Sequence, residues 1–286
     1  MTRIKTDKLL IAEKFYSCQC EGFSTGRPAY FIRMALCNLS CGFSPSYVND
    51  FKKGKIEQKQ AGTIVGDLQE SGKATWTCDS MPVWVRGEER EFQQIIDDWK
   101  SEGIYEDICK GLIHIIWTGG EPTIHQDSIV NFFRYWREHD PESRKVIPMI
   151  QTDKLNAFSE IETNGTVFIE PFLFQQLDQI NCSPKLSNSG MTRNQRIIPK
   201  AIERIMQHSN YQFKFVISNE EDIAEMFIDY IEPFNIPLQN VCCMPGMDHQ
   251  DQFFERTRWV LEMAKKYRFS GLTRLHIAAW NQACGV

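Results

Sequence analysis

Residues 113–123 read IHIIWTGGEPT, an apolar, β-branched run that stops on two glycines and a proline. A run of this kind predicts a buried strand, and the glycines and proline predict the turn that ends it. Comparable short runs recur at 30–36, 158–162, 179–183, 213–218, 240–244 and 274–278, and each is predicted to be a buried strand. Between them lie 88–103, 128–139, 171–177, 199–208, 222–231 and 252–267, where apolar residues return near helical spacing, as Phe253, Trp259, Val260 and Met263 do. Strands alternating with helices predict an α/β fold with a mostly parallel sheet, its working loops at the C-terminal ends of the strands.

The 286 residues suit one large domain. Hydrophobic residues at 42% and charged residues at 24% supply a packed core and exclude a disordered chain. A net charge of -5, from 32 basic and 37 acidic residues, argues against a broad nucleic-acid surface and for small substrates. No window approaches the ~20 apolar residues of a membrane span, and MTRIKTDKLLIAEKF lacks the apolar stretch of a secretory signal. A cytoplasmic protein, with neither membrane nor nucleic acid as partner, is expected. Ten cysteines in a reducing compartment serve metals, catalysis or packing more often than disulfides. Two stretches break the rhythm. Residues 42–77, polar and glycine-containing, are too long for an ordinary loop and too poor in apolar residues for a domain, so they read as an insertion; residues 140–157 are a second irregular stretch.

Cys37 and Cys41 stand in CNLSC, directly after the strand-like YFIRMAL, and Cys78 stands in TWTCDS across the insertion. Buried thiols or a zinc site would each account for them, although zinc would want a fourth ligand. Were the insertion cut back to Gly42 and Phe43, CNLSCGF would run into CDS. That arrangement resembles the CxxxCxxC loop of the radical S-adenosylmethionine (SAM) enzymes, in which three thiolates hold a [4Fe-4S] cluster and leave one iron open for the amino and carboxylate groups of SAM. WTGGEPT resembles the second motif of that superfamily, where a backbone approach to the SAM amino group would exclude a Cβ.

Further motifs narrow the resemblance. EKFYSCQCEG at 13–22 is similar to FYSxQGEG, GRPAYFIRMALCNLSC to GxPxxFIRLxGCNLxC, and CDSMPVW to CDTxxxW; IETNGT at 161–166, CSPKLS at 182–187, FKFVIS, the MPG turn at 244–246 and RLHIAAWNQACGV follow in order. Outside the insertions, nearly the whole chain resembles the 7-carboxy-7-deazaguanine synthase family. It departs from that pattern in the 36 residues between Cys41 and Cys78, in Cys20 where the family has Gly, and in Ser80 where it has Thr.

The resemblance implies a partial, TIM-like barrel of mostly parallel strands, a single radical SAM domain over 1–286 interrupted by the insertion. It implies conversion of 6-carboxy-5,6,7,8-tetrahydropterin to 7-carboxy-7-deazaguanine with loss of ammonia. An electron from a donor such as flavodoxin or ferredoxin splits SAM, and the 5′-deoxyadenosyl radical takes hydrogen from C6 of the pterin. The cluster and SAM carry this chemistry, so no side chain is expected to be catalytic and the protein's tasks are to position and to shield. A homodimer is also implied.

The same resemblance distributes roles. Cys37, Cys41 and Cys78 would hold the cluster, and Ser80 a Mg²⁺ ion that also meets the substrate carboxylate. Cys18, Gln19, Cys20, Glu21, Arg33, Thr118 and Val286 would face the substrate, Arg33 because its planar fork suits a carboxylate. Thr77, Cys78, Asp79, Gly119, Gly120, Glu121, Ser183, Pro184, Lys185 and Met244 would face SAM. Cys109, Cys182, Cys242, Cys243 and Cys284 read as packing or backbone positions, and His276 as support for the C-terminal turn. A glycyl-radical activase would share the cysteine loop and the GGEP turn but needs a groove for a protein substrate; a zinc-stabilised binding protein would need only the cysteines. Because the insertion separates ligands of one cluster, its two ends are expected to return to nearly the same place, and loop closure, at about 0.6 kcal/mol per doubling of length, permits this.

Overall fold

A computed structural model describes residues 7–56, 74–140, 144–147, 150–247 and 250–281. The chain opens with β1 (Lys8–Cys18) and β2 (Pro28–Met34); α1 (Pro45–Lys52) lies inside the insertion and the single turn α2 (Met81–Trp84) follows Cys78. Next come β3 (Glu88–Glu91), α3 (Phe92–Ser101) and α4 (Tyr105–Cys109), then β4 (His114–Gly119) and α5 (Gln126–His139). A side hairpin of β5 (Arg144–Ile147) and β6 (Ile150–Leu155) precedes β7 (Ser159–Thr163), α6 (Pro171–Gln176), β8 (Gln179–Cys182), α7 (Arg193–Arg196), α8 (Pro199–Met206) and β9 (Tyr211–Ile217). Helix α9 (Glu220–Met226) continues through a π-helical turn into α10 (Glu232–Phe234), and β10 (Val241–Pro245), α11 (Phe253–Tyr267), β11 (Ser270–Gly271) and α12 (Leu275–Trp280) complete the chain.

Among the described residues, nine strands form one sheet in the order β11-β10-β9-β8-β7-β4-β2-β1-β3. From β2 to β11 every neighbouring pair is parallel, while β1 joins β2 and β3 joins β1 antiparallel. The sheet is an open, partial barrel rather than a closed one. One face carries Tyr30, Ile32, Met34, Ile115, Trp117, Ile161, Ile180, Phe213, Phe215 and Val241, packed under Trp99 of α3, Phe132 and Trp136 of α5, Ile205 of α8 and Val260 of α11. Each such side chain contributes about 1.5–3 kcal/mol when fully buried, so this face holds the helices on. Among the described residues, no helix is long and apolar enough to cross a membrane.

Three sequence-based expectations are corrected. Residues 274–278 do not form a strand: α12 covers Leu275–Trp280, and of it only Ile277 is buried. Six residues with two alanines satisfy either period, and here only one side has a neighbour to pack on. The helix expected over 88–103 begins only at Phe92, because Glu88–Glu91 pair with the start of β1, in a register running from Lys8↔Glu91 to Ile11↔Glu88. The irregular stretch 140–157 contains the β5–β6 hairpin.

Strand β1 was not legible as a strand, and a β-bulge explains why. Leu9 and Ile11 point into the helix-side core, but the register shifts between Ile11 and Glu13. The extra residue turns Glu13 and Phe15 to the opposite face, where Phe15 stacks on Phe31 at 5.0 Å, so the alternation breaks at Ala12. The strand thereby serves the core at one end and the polar face at the other.

The two ends of residues 42–77 lie together. Cys78 N donates to Cys41 O at 3.0 Å, and Gly42 N and Thr75 N donate to Ser189 O and Asn188 O. A Cβ on Gly42, at φ +81, would stand 2.4 Å from Thr77 Cα, so the outgoing and returning arms of the insertion touch there. Its first part is less apolar-poor in effect than its composition implies: Phe43 and Tyr47 pack with Met81, Trp84 and Val85 in a small core of their own.

Candidate active site

The sheet face turned away from the helices is polar. Down the strands, Arg33 and Phe31 alternate with core residues of β2, Thr118 and His114 with those of β4, Glu160 and Glu162 with Ile161, Asn181 with Ile180, Gln212 and Lys214 with Phe213. These side chains form a connected lattice. His114 Nδ1 lies 2.5 Å from Glu160 Oε1; Asn181 Nδ2 donates to Glu160 at 2.9 Å and to Glu162 at 3.0 Å; Lys214 Nζ meets Glu162 at 2.5 Å. Polar groups this deep are costly unless satisfied, and here they satisfy one another.

The loop after β1 is seated on this lattice. Gln19 Nε2 donates to Glu162 at 3.0 Å, while Gln19 Oε1 accepts from Cys20 N and Glu21 N. Ser24 Oγ donates to Gln179, and Phe23 N to Gln212. Glu21 receives Lys214 Nζ at 3.2 Å on one oxygen and Arg274 Nε at 3.3 Å on the other, with His276 Nδ1 at 4.0 Å. Arg274 continues to Asp79 Oδ2 at 2.9 Å, so one guanidinium ties the first loop, the residue after Cys78 and the C-terminal segment together. Cys20 fits without a left-handed backbone, since among the described non-glycine residues only Leu36, Asn235, Arg268 and Asn281 have positive φ; its thiol donates to Cys18 O.

Burial works against a charge on Glu21, yet Lys214, Arg274 and His276 outweigh it and hold this carboxyl well below the usual range. Burial lifts Glu162 from its usual 4.5 to about 7 against the pull of Lys214. Two carboxylates flank one ammonium, and the one that also meets the Arg274 guanidinium stays ionised. Between pH 4.5 and 7 the folded protein keeps a proton on Glu162 that the unfolded chain has released. That group's contribution to stability is therefore fully present below its usual value and is lost as pH rises towards 7, whereas Glu21 contributes above its usual value and loses its effect as pH falls. Glu162→Gln is expected to flatten the falling limb by on the order of 1–3 kcal/mol, measured by thermal melts across a pH series.

The three motif cysteines meet at the C-terminal ends of the strands. Cys37 and Cys78 contact the apolar cluster of Leu39, Cys41 and Met191 as well as that of Phe43 and Trp84. Leu39 N donates to Cys37 Sγ at 3.4 Å, Trp84 Nε1 to Cys78 Sγ at 3.5 Å, and Asn164 Nδ2 reaches Cys37 Sγ at 4.0 Å. Burial pushes the Cys41 thiol up to about 12, with Lys185 pulling the other way, and burial raises Cys37 further still. Such thiols stay protonated until a metal displaces the proton. Among the described residues no group of three His, Cys, Asp or Glu side chains is placed to hold a single metal ion. Thiolates of a [4Fe-4S] cluster each take a different iron, and three thiols gathered in this way, with N–H groups turned to the sulfurs of Cys37 and Cys78, suit that chemistry.

The GGEP turn is clamped to the cysteine loop. Gly120 N donates to Met34 O and Glu121 N to Leu36 O. A Cβ on Gly119 would lie 2.2 Å from Met34 O, and one on Gly120 only 1.8 Å from Leu36 O. The glycines are thus required first by this backbone contact, a nearer reason than approach to SAM. Glu121 is fully buried, and its carboxylate accepts from Thr123 N, Thr123 Oγ1, Thr163 Oγ1 and Asn164 N. Its side chain braces GGEP against ETNGT, which leaves its backbone as what it can offer a ligand.

The other expected site residues distribute as follows. Arg33 and Thr118 are register partners on β2 and β4, and Arg33 Nε meets Glu13 at 2.9 Å with its guanidinium over Phe15. Ser80 Oγ lies 3.4 Å from Cys78 Sγ. Lys185 Nζ donates to Ser183 Oγ and lies over the Trp76 ring; Ser183 N donates to Thr163 O, holding the SPK loop beside the NGT loop. Met244 is buried near the end of β10, beside Val216 of β9. Gln19 is spent on its own loop and on Glu162, so what this loop turns outward is decided by Glu21 and backbone. Val286 and Cys284 lie outside the described residues. Sequence reasoning missed Glu162, Lys214 and Arg274; the period-2 polar positions in SEIET and YQFKFVI were the available signal.

No family model matches the chain. It is 26% identical over 283 residues to the 7-carboxy-7-deazaguanine synthase of Pyrobaculum aerophilum, covering 98% of both chains. It is 30% identical over 185 residues to that of Bacteroides thetaiotaomicron, covering 64% of this chain and 65% of the relative. It is 24% identical over 274 residues to that of Escherichia coli, covering 93% and 97%. Among solved structures, QueE from Escherichia coli superposes with a TM-score of 0.54 over 93% of each chain at 19% identity, a likeness of fold. Likeness along the full length to relatives of one description, on the fold that the motifs implied, places the protein: the chain belongs to the 7-carboxy-7-deazaguanine synthase family of radical SAM enzymes.

Proposed function

We propose that this chain is a radical SAM lyase that converts 6-carboxy-5,6,7,8-tetrahydropterin to 7-carboxy-7-deazaguanine with loss of ammonia, in 7-deazapurine biosynthesis of the queuosine or archaeosine type. The observation that carries this reading is the closure of the insertion, with Cys78 N on Cys41 O at 3.0 Å, which rebuilds a three-cysteine loop from a divided motif. When bound, the [4Fe-4S] cluster and SAM supply the radical chemistry.

The protein's own residues hold and orient. Cys37, Cys41 and Cys78 take the cluster. Gly119, Gly120, Ser183, Pro184, Lys185, Met244 and the backbone of Glu121, at the ends of β4, β8 and β10, form the SAM side together with Thr77 and Asp79 on either side of Cys78. Ionised Glu21, fixed by Lys214 and Arg274, offers two acceptor oxygens to the aminopyrimidinone edge of the pterin, with backbone of Cys18, Gln19 and Cys20 completing that side. Arg33 and Thr118, side by side on the polar face, take the substrate carboxylate. Ser80 would hold a Mg²⁺ ion through its hard hydroxyl oxygen, and the ion would supply positive charge for the substrate carboxylate. The chain works as one domain with 42–77 as an insertion, as a homodimer, and with a flavodoxin or ferredoxin as electron donor.

Arg33→Lys tests the substrate side. The ammonium keeps the charge but loses the bidentate fork, and a charge-assisted bond is worth about 1.5–3 kcal/mol, so carboxypterin affinity should fall roughly tenfold or more. SAM affinity should stay within about twofold. Calorimetric titration of each ligand decides it; equal losses for both would make Arg33 a structural partner of Glu13.

A further inference from the structure

Cys78 makes one contact that involves neither the SAM side nor the substrate side. The indole Nε1 of Trp84, the last residue of α2, donates to Cys78 Sγ at 3.5 Å. Trp84 is 4% exposed, so water does not compete for that N–H. The indole is held in place by its surroundings. Phe43 and Tyr47 of the insertion, stacked on each other at 5.2 Å, form one apolar cluster with Met81, Trp84 and Val85, with Val48, Phe51 and Ile56 packed behind. Leu36 N donates to Trp84 O at 2.6 Å, which ties the same residue to the start of the CNLSC loop.

We propose that Trp84 is a positioning residue for the cluster: its N–H···S bond to the Cys78 thiolate, kept dry by Phe43 and Tyr47 of the insertion, raises the reduction potential of the bound [4Fe-4S] cluster. A donor aimed at a ligand sulfur favours the cluster state with one more electron, because that electron adds negative charge to the sulfurs. In a dry pocket the N–H counts for more than it would in water. The apolar part of the insertion, Phe43 and Tyr47, thereby acts on electron uptake from outside the SAM and pterin sides, and the electron itself comes from the reductase. This inference rests on the three cysteines being cluster ligands.

The test is an EPR-monitored potentiometric titration of the anaerobically reconstituted enzyme, with no SAM cleavage involved. Trp84→Phe keeps an aromatic ring and removes the donor. It is expected to retain iron while its midpoint moves down, so that the reduced-to-oxidised ratio at a fixed poise falls about tenfold, ~59 mV for one electron. An unchanged midpoint at full iron content would overturn the proposal. Should Trp84→Phe fail to hold iron, Tyr47→Ala decides instead. It wets the pocket and leaves the indole, and its midpoint is expected to move the same way by a smaller amount, whereas a midpoint equal to the wild type would overturn the proposal. A wild-type protein that takes up no iron would overturn the cluster reading itself, and is told apart because it shows no EPR signal to titrate.

Discussion

Gly120→Ala is expected to abolish iron binding and to cost on the order of 3 kcal/mol or more in stability. The new Cβ would lie 1.8 Å from Leu36 O, 2.4 Å from Leu36 C and 3.0 Å from Cys37 N, and backbone atoms cannot swing away as a side-chain tip would. Leu36 has no slack to offer. It already sits at φ 66, a left-handed conformation that costs a non-glycine residue about 1–2 kcal/mol. It is held there by Leu36 N on Trp84 O and by Glu121 N on Leu36 O. The chain thus tolerates strain at the residue that steers Cys37 into place. Displacing Leu36 moves Cys37 with it. Iron content after anaerobic reconstitution, together with a urea unfolding curve, checks both parts; a variant with full iron and wild-type stability would show that the clamp between GGEP and the cysteine loop is dispensable.

Replacing Cys37, Cys41 or Cys78 singly with Ala is expected to bring SAM cleavage down to background, because three-thiolate ligation leaves none to spare. The three are equivalent in this respect despite the 36 residues that separate the second from the third, since the Cys78 amide is bonded to the Cys41 carbonyl. Cys109→Ala, in α4 on the helix side, is expected to keep both iron and turnover. Reductive SAM cleavage under dithionite, followed by chromatography of 5′-deoxyadenosine, separates the cases. Cys78→Ala with full turnover would mean that the insertion does not bridge the motif.

How far the sequence could be read follows from what each segment has to satisfy. The strands of the parallel sheet were legible because their core-facing residues are β-branched or aromatic and bounded by glycine, proline or asparagine, as in HIIWTGG. The edges were not. β1 hides behind a bulge at Ala12 that flips its alternation, β3 is four charged residues whose structural tie is pairing with β1, and 274–278 became a helix because an edge segment with one buried side chain is not held to either period. In the candidate site, the cysteines, the glycines and Arg33 could be named because they stand in the motifs that carry the family resemblance. Glu162, Lys214 and Arg274 were not, since Lys214 and Arg274 reach Glu21, and Glu162 reaches Lys214, from different parts of the chain. Only the fold brings residues 21, 162, 214 and 274 within ion-pair distance.

The assigned reaction is tested most directly by turnover. The reconstituted enzyme is incubated anaerobically with SAM, Mg²⁺, a reductant and 6-carboxy-5,6,7,8-tetrahydropterin, and the products are read by mass spectrometry. The expected products are 7-carboxy-7-deazaguanine and ammonia in equal amounts. SAM cleavage to 5′-deoxyadenosine with the pterin left intact would contradict the assignment.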